Sequence, residues 1–241
     1  VKARLTTITT RYSTLKISIF LLMVNGYDNH LIHDLIIDMT ISLKKVLSAI
    51  DDINQTDSNS TSVDGIEHPK ELLYGQRMSQ CLAKHWLDAN ELLQIAVRAQ
   101  HIKRWHLQRT EFEQGKAGYY QWRIALGKFH GELTASIMLE CGYTAEQAEQ
   151  TAAIIRKDLI RQGKSKLNDD SQTLEDVACL VFLEHYFEEF AAKYIAVDNE
   201  TKIIRIVKLT WKKMSERGHE IALTLPLPKH LAALVGKALA L

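Results

Sequence analysis

The chain has 241 residues, of which 30 are Lys or Arg and 29 are Asp or Glu, so its formal net charge is only +1. This balance argues against a strongly basic nucleic-acid-binding protein, although a local basic patch could still exist, and a hydrophobic content of 46% excludes disorder along the whole chain. The length suits one domain, or one domain with an appendage, and the low content of 3 Pro and 11 Gly favours helices.

The first 38 residues differ in pattern from the rest of the chain. Their longest apolar run, residues 17–24, is far shorter than the roughly 20 residues that a membrane span requires. Met39 then opens an amphipathic stretch. We therefore expect residues 1–38 to be an atypical extension foreign to the native protein, and residues 39–241 to form the domain. The alternative is a genuine β-prone appendage, since the segment is rich in Thr and Ile.

Apolar periodicity, capping patterns and glycine stops predict a succession of helices after Met39. The predicted helices cover residues 40–54, 69–87, 88–105, 119–140, 144–163, 173–194 and 200–217, with a short apolar helix at the C-terminus. Capping boxes are expected at residues 88–91, 144–147 and 173–176, and Gly218 is expected to end a helix. Residues 55–66 read as a polar loop. With no strand–helix alternation, the fold class is all-α, a single compact multi-helix domain.

The three cysteines are odd in number and far apart, at positions 81, 141 and 179. This spacing predicts neither a disulfide scaffold nor a zinc knuckle, and it fits a reducing compartment. We therefore expect a cytoplasmic protein with no membrane partner. The sequence also lacks the glycine-rich, zincin and nucleophile-elbow motifs of the common nucleotide-binding and hydrolytic folds.

Two histidines fall close to buried stripes of their predicted helices. His101 follows Val97 by one turn near a helix end, where the ordinary interpretation is a core-edge histidine bonded to a carbonyl and the functional one is a metal ligand or a base. His130 shares an inward stripe with Leu126 and Leu133, and a buried imidazole needs a partner. A second inward histidine raises the case for a ligand role.

Acidic residues accompany these histidines on other predicted helices. Glu71 shares a helix face with Tyr74, and Glu175 and Asp176 open the most apolar helix. Asp176 fits the acid of a capping box that begins at Thr173, and the same carboxylate also suits a metal ion, so the two roles can coexist.

Basic and aromatic residues are concentrated in residues 98–123, beside His101. Arginine binds phosphate bidentately, and indole rings stack on bases. For any single member, the ordinary interpretation is a solvated face above an aromatic core. The candidate substrate-binding residues are Tyr74, Arg77, Lys103, Arg104 and Arg123.

Six segments of the chain occur in a characteristic order. They are KELLYGQRMS, RAQHIKRW, GYYQWR, FHGELTASIMLECGYT, QTLEDVACLVFLEHYFEEF and TWKKMSERG. Together they resemble the uncharacterised domain-of-unknown-function 4202 family over about residues 39–225. No biochemical activity comes with that family.

The helix order also resembles, more distantly, the HD-domain metal-dependent phosphohydrolases. Their pattern is a His on the first core helix, a His-Asp pair ending the next, a later His, and a final Asp opening a late helix. Here Tyr74 stands at the first position, Gln100-His101 at the pair, His130 at the later His and Asp176 at the final Asp. The resemblance implies an HD-domain-like fold with a remodelled mononuclear site.

In that site the implied metal ligands are His101, His130 and Asp176, and the implied metal is Mn, Zn or Fe. We expect a metal-dependent phosphohydrolase acting on a nucleotide-like phosphoester. The metal would activate water, and Glu71 or Glu175 would move protons.

In this scheme Arg104 and Arg123 would hold the phosphate of a small-molecule ligand. One alternative is a non-catalytic helical binding module for a nucleotide, RNA or a protein partner, which the departures at Tyr74 and Gln100 favour. Another is a metal-independent acid–base enzyme that uses the same residues.

Overall fold

A computed structural model describes residues 29–163, 169–197 and 199–240, with side chains from residue 42 to residue 239 within these ranges. The predicted extension therefore lies largely outside the described residues, and its origin stays a prediction. The first described helix begins at Asn29 and runs through Met39, so the helix predicted for residues 40–54 starts earlier than expected. No helix in the described ranges is both long and apolar enough to cross a membrane.

The described chain is mostly helical, with one short β-hairpin. In chain order the elements are α1 (Asn29–Asn54), β1 (Ser60–Val63), β2 (Ile66–Pro69), α2 (Lys70–His85), α3 (Glu91–Ala99), α4 (Gly115–Glu140), α5 (Ala145–Arg156), α6 (Asp158–Arg161), α7 (Asp170–His185), α8 (Phe187–Ile195), α9 (Glu200–Lys213), α10 (Glu216–Ala222) and α11 (Lys229–Ala240). Two single-turn 3-10 helices, Arg104–His106 and Arg109–Glu111, lie between α3 and α4.

One apolar core joins these helices into a single domain. It extends without a break from Val46 of α1 to Ala238 of α11, and the prediction of a multi-helix domain is confirmed at this level. The short helix α3 is central, because it packs against α1, α2, α5 and α7. Its side chains Ile95 and Val97 are fully buried. The chain that leaves α3 is therefore held at the middle of the molecule.

The segment predicted as a polar loop at residues 55–66 contains most of an antiparallel hairpin. Strands β1 and β2 pair from Ser60–Pro69 to Val63–Ile66. Asp64 and Gly65 both have positive φ, at 52° and 78°, which is the geometry of a tight two-residue hairpin turn. The prediction missed this hairpin because it weighed the polar composition of the segment and overlooked the Asp-Gly turn signal.

Helix boundaries differ from the predictions where a cap lies two or four residues away from its predicted position. The box at Thr144 and Gln147 is present and opens α5 as expected. Helix α3 is instead capped by Asn90, whose side chain accepts from the Leu93 amide, and α7 is capped by Asp169. Asp176 therefore lies in the second turn of α7 and is free for another contact.

The long helix predicted over residues 200–217 is two helices, α9 and α10. Gly218 lies inside α10 and does not end a helix. Ser215 caps α10, and the carboxylate of Asp176 accepts from the Ser215 amide at 2.7 Å and from its hydroxyl at 2.5 Å. A Cβ at position 218 would lie 2.9 Å from Oδ1 of Asp176. Glycine is thus required by the close approach of α7, which the sequence alone did not indicate.

The packing of Asp176 on α10 predicts a marked cost for Gly218→Ala. The added methyl forces Asp176 or the helix to move, and we expect a loss of about 1–3 kcal/mol in the free energy of unfolding. The matched control is Gly236→Ala in α11, where an added Cβ meets no atom within 4 Å and helix propensity should stabilise by about 0.5–1 kcal/mol. Thermal unfolding of the three proteins measures both effects. Equal melting temperatures for the two variants would contradict the close contact.

Candidate functional site

Four polar side chains from α2, α4 and the turn after α3 meet in one acid–base cluster, defined as Glu71, Tyr74, His101 and His130. Two of them, Glu71 and His130, are buried, and His101 keeps 20% of its side chain accessible. Residues Glu71 and Tyr74 are one turn apart on α2, so they share a face. His130 comes from the middle of α4.

The amide of Asn54, at the end of α1, links two sides of this cluster. Its Nδ2 donates to the carbonyl of Glu71 at 3.5 Å, and its Oδ1 accepts from the amide of Lys103 at 2.9 Å. Asp57 adds a second tie, because its Oδ2 accepts from the amide of Glu71 at 3.1 Å. The start of α2 and the turn that carries His101 are therefore fixed relative to each other.

The carboxylate of Glu71 is the centre of the cluster. Its Oε2 lies 3.1 Å from Nδ1 of His101, and its Oε1 lies 3.9 Å from Nε of Arg104. Burial raises the pKa of Glu71 although Arg104 opposes the shift. Burial, followed by the charges of Arg104 and Arg123, lowers the pKa of His101 well below its ordinary value. At neutral pH His101 is therefore uncharged, and its Nδ1–H donates to Glu71.

Tyr74 holds the ring of His101 in place. The two rings stack with centroids 4.1 Å apart and an angle of 12° between their planes. The hydroxyl of Tyr74 donates to Oε1 of Gln100 at 3.1 Å, which fixes the phenol in turn. Between Glu71 and Tyr74 the imidazole of His101 has one orientation, and its Nε2 makes no hydrogen bond with any residue in the described ranges.

His130 lies behind His101, with ring centroids 6.2 Å apart. Its Nδ1 is 2.7 Å from the carbonyl of Ile102, and because a carbonyl only accepts, Nδ1 carries the proton. Burial, together with the charges of His101 and Arg104, lowers the pKa of His130 to about 3. Its Nε2 is thus an acceptor, and it is buried with no partner among the described residues. Such an orphaned acceptor is uncommon and points to a ligand contact.

A second carboxylate, Glu175 of α7, gathers lysines beside the acid–base cluster. The charged region that contains Glu71, Arg104, Arg123, Lys157, Glu175 and Lys213 is called the cleft below. It pairs with Lys157 at the end of α5 and with Lys213 of α9, whose Nζ is 3.5 Å from Oε1. Burial alone would raise the pKa of Glu175, but Lys157, Lys213 and Arg123 together lower it. Burial likewise lowers the pKa of Lys157 against the pull of Glu175. Glu175 therefore stays ionised and fixes the lysines.

Arg123 acts electrostatically on both His101 and Glu175. It influences the pKa of His101 on one side and of Lys157 on the other, yet it forms no ion pair within the part of the chain that the structure describes. Its side chain is partly buried. Four cations and two carboxylates are thus gathered in the cleft, so cations outnumber carboxylates among these six side chains. The cations are Arg104, Arg123, Lys157 and Lys213, and the carboxylates are Glu71 and Glu175.

Two lysines at the cleft have left-handed backbone conformations. Lys103 has a φ of 50° and Lys157 a φ of 59°, a region that non-glycine residues seldom adopt. Lys103 directly precedes the 3-10 helix that begins at Arg104, and Lys157 separates α5 from α6. Strained backbone of this kind is held in place by its surroundings and is concentrated at functional sites.

The structure brings together only part of the predicted metal-ligand set. His101 and His130 are neighbours, but the carboxylate of Asp176 is bonded to Ser215 and to Nε2 of Gln172 at 3.0 Å. In the described ranges no group of three His, Cys, Asp or Glu side chains is arranged to hold a metal ion. The residues present therefore do not fit the predicted three-ligand site.

The remaining predicted residues fall at different distances from the cluster. Arg104 joins it directly and also covers the Trp122 ring, with its guanidinium carbon 4.9 Å from the ring centroid. The guanidinium of Arg77 lies over the ring of Tyr186, and that ring is 6.0 Å from the ring of Tyr74. Arg77 therefore borders the site. Lys103 contributes through its backbone bond to Asn54.

Sequence reasoning missed several contributors, among them Lys157, Gln100 and Tyr186. Lys157 lay within a predicted helix and carried no motif, Gln100 was considered only as a substituted metal ligand, and Tyr186 was placed within a continuous helix. The signals that could have found them are weak, because each residue reaches the cleft only where a helix breaks or ends: α3 before Gln100, α5 at Lys157 and α7 at Tyr186.

Comparison with known proteins supports a family and nothing narrower. A family model described as Domain of unknown function (DUF4202) matches residues 44–235, which is most of the chain. No curated protein and no solved structure matches the chain. These comparisons give no relation to the HD-domain phosphohydrolases.

The depressed pKa of His130 predicts a pH-dependent stability. Between about pH 3, its folded value, and about 6.5, its unfolded value, the unfolded chain binds a proton that the folded chain does not. Stability is therefore full above pH 6.5 and is lost as the pH falls. We expect the free energy of unfolding in urea to fall more steeply from pH 7 to pH 5 in the native protein than in His130→Gln. The difference should approach but not exceed about 1.4 kcal/mol per pH unit.

The lowered pKa of His101 also makes the free energy of unfolding fall as the pH falls. The His130→Gln variant therefore keeps part of the pH dependence. The matched control is His230→Gln on the exposed face of α11, which should retain the native slope. Identical slopes for the native protein and His130→Gln would show that His130 is not buried in its neutral form.

Proposed function

The chain belongs to the DUF4202 family, whose description assigns no activity. From the site itself we propose that it binds a phosphomonoester and hydrolyses it by general-base catalysis. The ligand is expected at the cationic cleft between Glu71 and Glu175. This proposal keeps the phosphoester class expected from the sequence and uses the residues of the acid–base cluster without a metal.

The uncompensated guanidinium of Arg123 supports the proposal most directly. Partly buried charges are normally paired, because a charge removed from water without a partner is costly. Arg104 and Lys157 act on the same histidine as Arg123, and cations outnumber carboxylates among the cleft residues. A phosphomonoester carries close to two negative charges at neutral pH, so it would neutralise the cleft. Arginine also matches phosphate oxygens with two parallel hydrogen bonds.

His101 has the features of a general base. It is neutral, it is oriented by Glu71 and Tyr74, its Nε2 has no hydrogen-bond partner among the described residues, and 20% of its side chain is accessible. Glu71 would stabilise the imidazolium that forms when His101 takes a proton, the role that a carboxylate plays beside histidine in hydrolytic triads. The predicted proton-transfer role of Glu71 thus becomes an indirect one.

The proposed reaction uses one water molecule. Nε2 of His101 takes a proton from the water, whose oxygen forms a bond to phosphorus while the ester P–O bond breaks. The leaving oxygen keeps the electron pair and takes a proton from solvent, and His101 releases its proton to solvent. Arg104, Arg123 and Lys157 would stabilise the negative charge on the phosphoryl oxygens. Glu175 would position Lys157 and would not transfer a proton.

A metal-dependent version of the same activity, as in the HD-domain phosphohydrolases, remains a narrower proposal. The proximity of His101 to His130 and the unpartnered Nε2 of His130 favour it. The engagement of Asp176 with α10 disfavours it. Addition of Mn²⁺ or Zn²⁺ to the assay separates the two versions.

The first experiment measures binding of inorganic phosphate by calorimetry and release of p-nitrophenol from p-nitrophenyl phosphate. Arg123→Gln should weaken phosphate binding by at least about tenfold, since a charge-assisted hydrogen bond contributes about 1.5–3 kcal/mol. His101→Asn should leave phosphate binding within about threefold and lower kcat by about 100-fold or more, because only proton transfer is lost. The rate of the native enzyme should persist below pH 6.5, since His101 stays neutral there.

The matched control is Arg205→Gln, which removes an exposed arginine of α9 and should alter neither measurement. A native protein that binds phosphate but does not release p-nitrophenol, with or without added metal, would support the non-catalytic binding module over the enzyme. Activity that requires Mn²⁺ or Zn²⁺ would favour the metal-dependent version. Absence of phosphate binding, or equal binding by Arg123→Gln, would reject the cleft as the site.

A further inference from the structure

Three aromatic side chains near the start of α4 form an aromatic shelf, defined as Tyr119, Tyr120 and Trp122. The ring of Tyr119 lies 5.9 Å from that of Tyr120 and 5.9 Å from that of Trp122. Tyr119 and Tyr120 are 43% and 53% exposed, unusually open for large rings that already touch one another. Water-exposed aromatic clusters of this kind mark recognition surfaces.

Hydrogen bonds at the base of the aromatic shelf hold Trp122 and the connection before α4 in place. Nε1 of Trp122 donates to the carbonyl of Leu107 at 3.0 Å, which ties the indole to the connection between α3 and α4. Arg109 closes that connection by donating to the carbonyls of Phe112 and Gly115 at 2.9 and 3.2 Å. The indole of Trp122, which Tyr119 contacts, is therefore held in place, and this lowers the entropic cost of ordering the shelf around a planar group.

The shelf adjoins the phosphate-binding cations. Tyr119 and Arg123 are four residues apart on α4, so they lie on one face about 6 Å apart along the helix axis. Arg104 connects the two regions, because its guanidinium covers Trp122 while its Nε approaches Glu71. One ligand could thus place a phosphate at Arg123 and a flat ring one helical turn away.

We infer that the phosphomonoester carries a planar heteroaromatic group that stacks on the Tyr119 face of the shelf, as a nucleoside 5′-monophosphate would. The inference rests on the proposed function, because the phosphate must occupy the cleft for the ring to reach the shelf. The near-neutral charge of the chain favours a free nucleotide over a nucleic acid.

The test compares three probes by calorimetry: inorganic phosphate, ribose 5-phosphate and adenosine 5′-monophosphate. The native protein should bind the nucleotide at least about fivefold more tightly than ribose 5-phosphate, the gain expected for one stacked base. Tyr119→Ala should remove this gain and leave the affinity for inorganic phosphate unchanged. Tyr119→Phe should retain the gain, because stacking needs the ring and not the hydroxyl.

Tyr194→Ala is the matched control, since Tyr194 is another partly exposed tyrosine, with Lys202 at 4.6 Å from its ring, and belongs to α8 away from the cleft. It should keep the nucleotide preference. Equal binding of the nucleotide and ribose 5-phosphate would overturn the inference while leaving the proposed function intact. Failure of all three probes would reject the proposed function as well. Binding of single-stranded oligonucleotides but not the mononucleotide would assign the shelf to a nucleic acid and overturn the inference.

Discussion

The buried carboxylate of Glu71 is the constraint on which the site depends. It lies in the first turn of α2, and its charge can stay in the interior only because groups from other elements surround it. His101 approaches one oxygen and Arg104 the other, while Asn54 and Asp57 bond its backbone. The end of α1, the start of α2 and the turn after α3 are therefore arranged around one carboxyl group.

Positive charge is then collected around this carboxylate and its counterpart, Glu175. Placing several cations in one partly buried cleft raises their mutual repulsion, and the depressed pKa of Lys157 reflects its burial in that setting. Both histidines are neutral, so they add no further positive charge to the cleft. The left-handed backbone of Lys103 and of Lys157 is a further cost at this site. A bound dianion would offset the repulsion.

The kinds of residue in the site were predictable from the sequence, but which of these residues meet in the structure was not. His101, His130, Arg104 and Arg123 stand out in the sequence because imidazole and guanidinium groups near apolar stripes invite functional interpretation. Asp176 stands out as a carboxylate at the start of an apolar helix, yet it accepts hydrogen bonds from Ser215, the cap of α10. The role of Asp176 depends on its contact with Ser215 at the start of α10, and these two residues are 39 positions apart in the chain.

The helical class and the single core follow from the amino-acid pattern alone, because apolar periodicity is local and burying it requires helix-on-helix packing. The box at Thr144 follows from it too, since its partners are three residues apart. The position of Gly218 inside a helix, where Asp176 leaves no room for a Cβ, depends instead on how the helices pack. The tertiary structure likewise decided which charges share the cleft. Such contacts depend on the positions of whole helices, which no local pattern specifies.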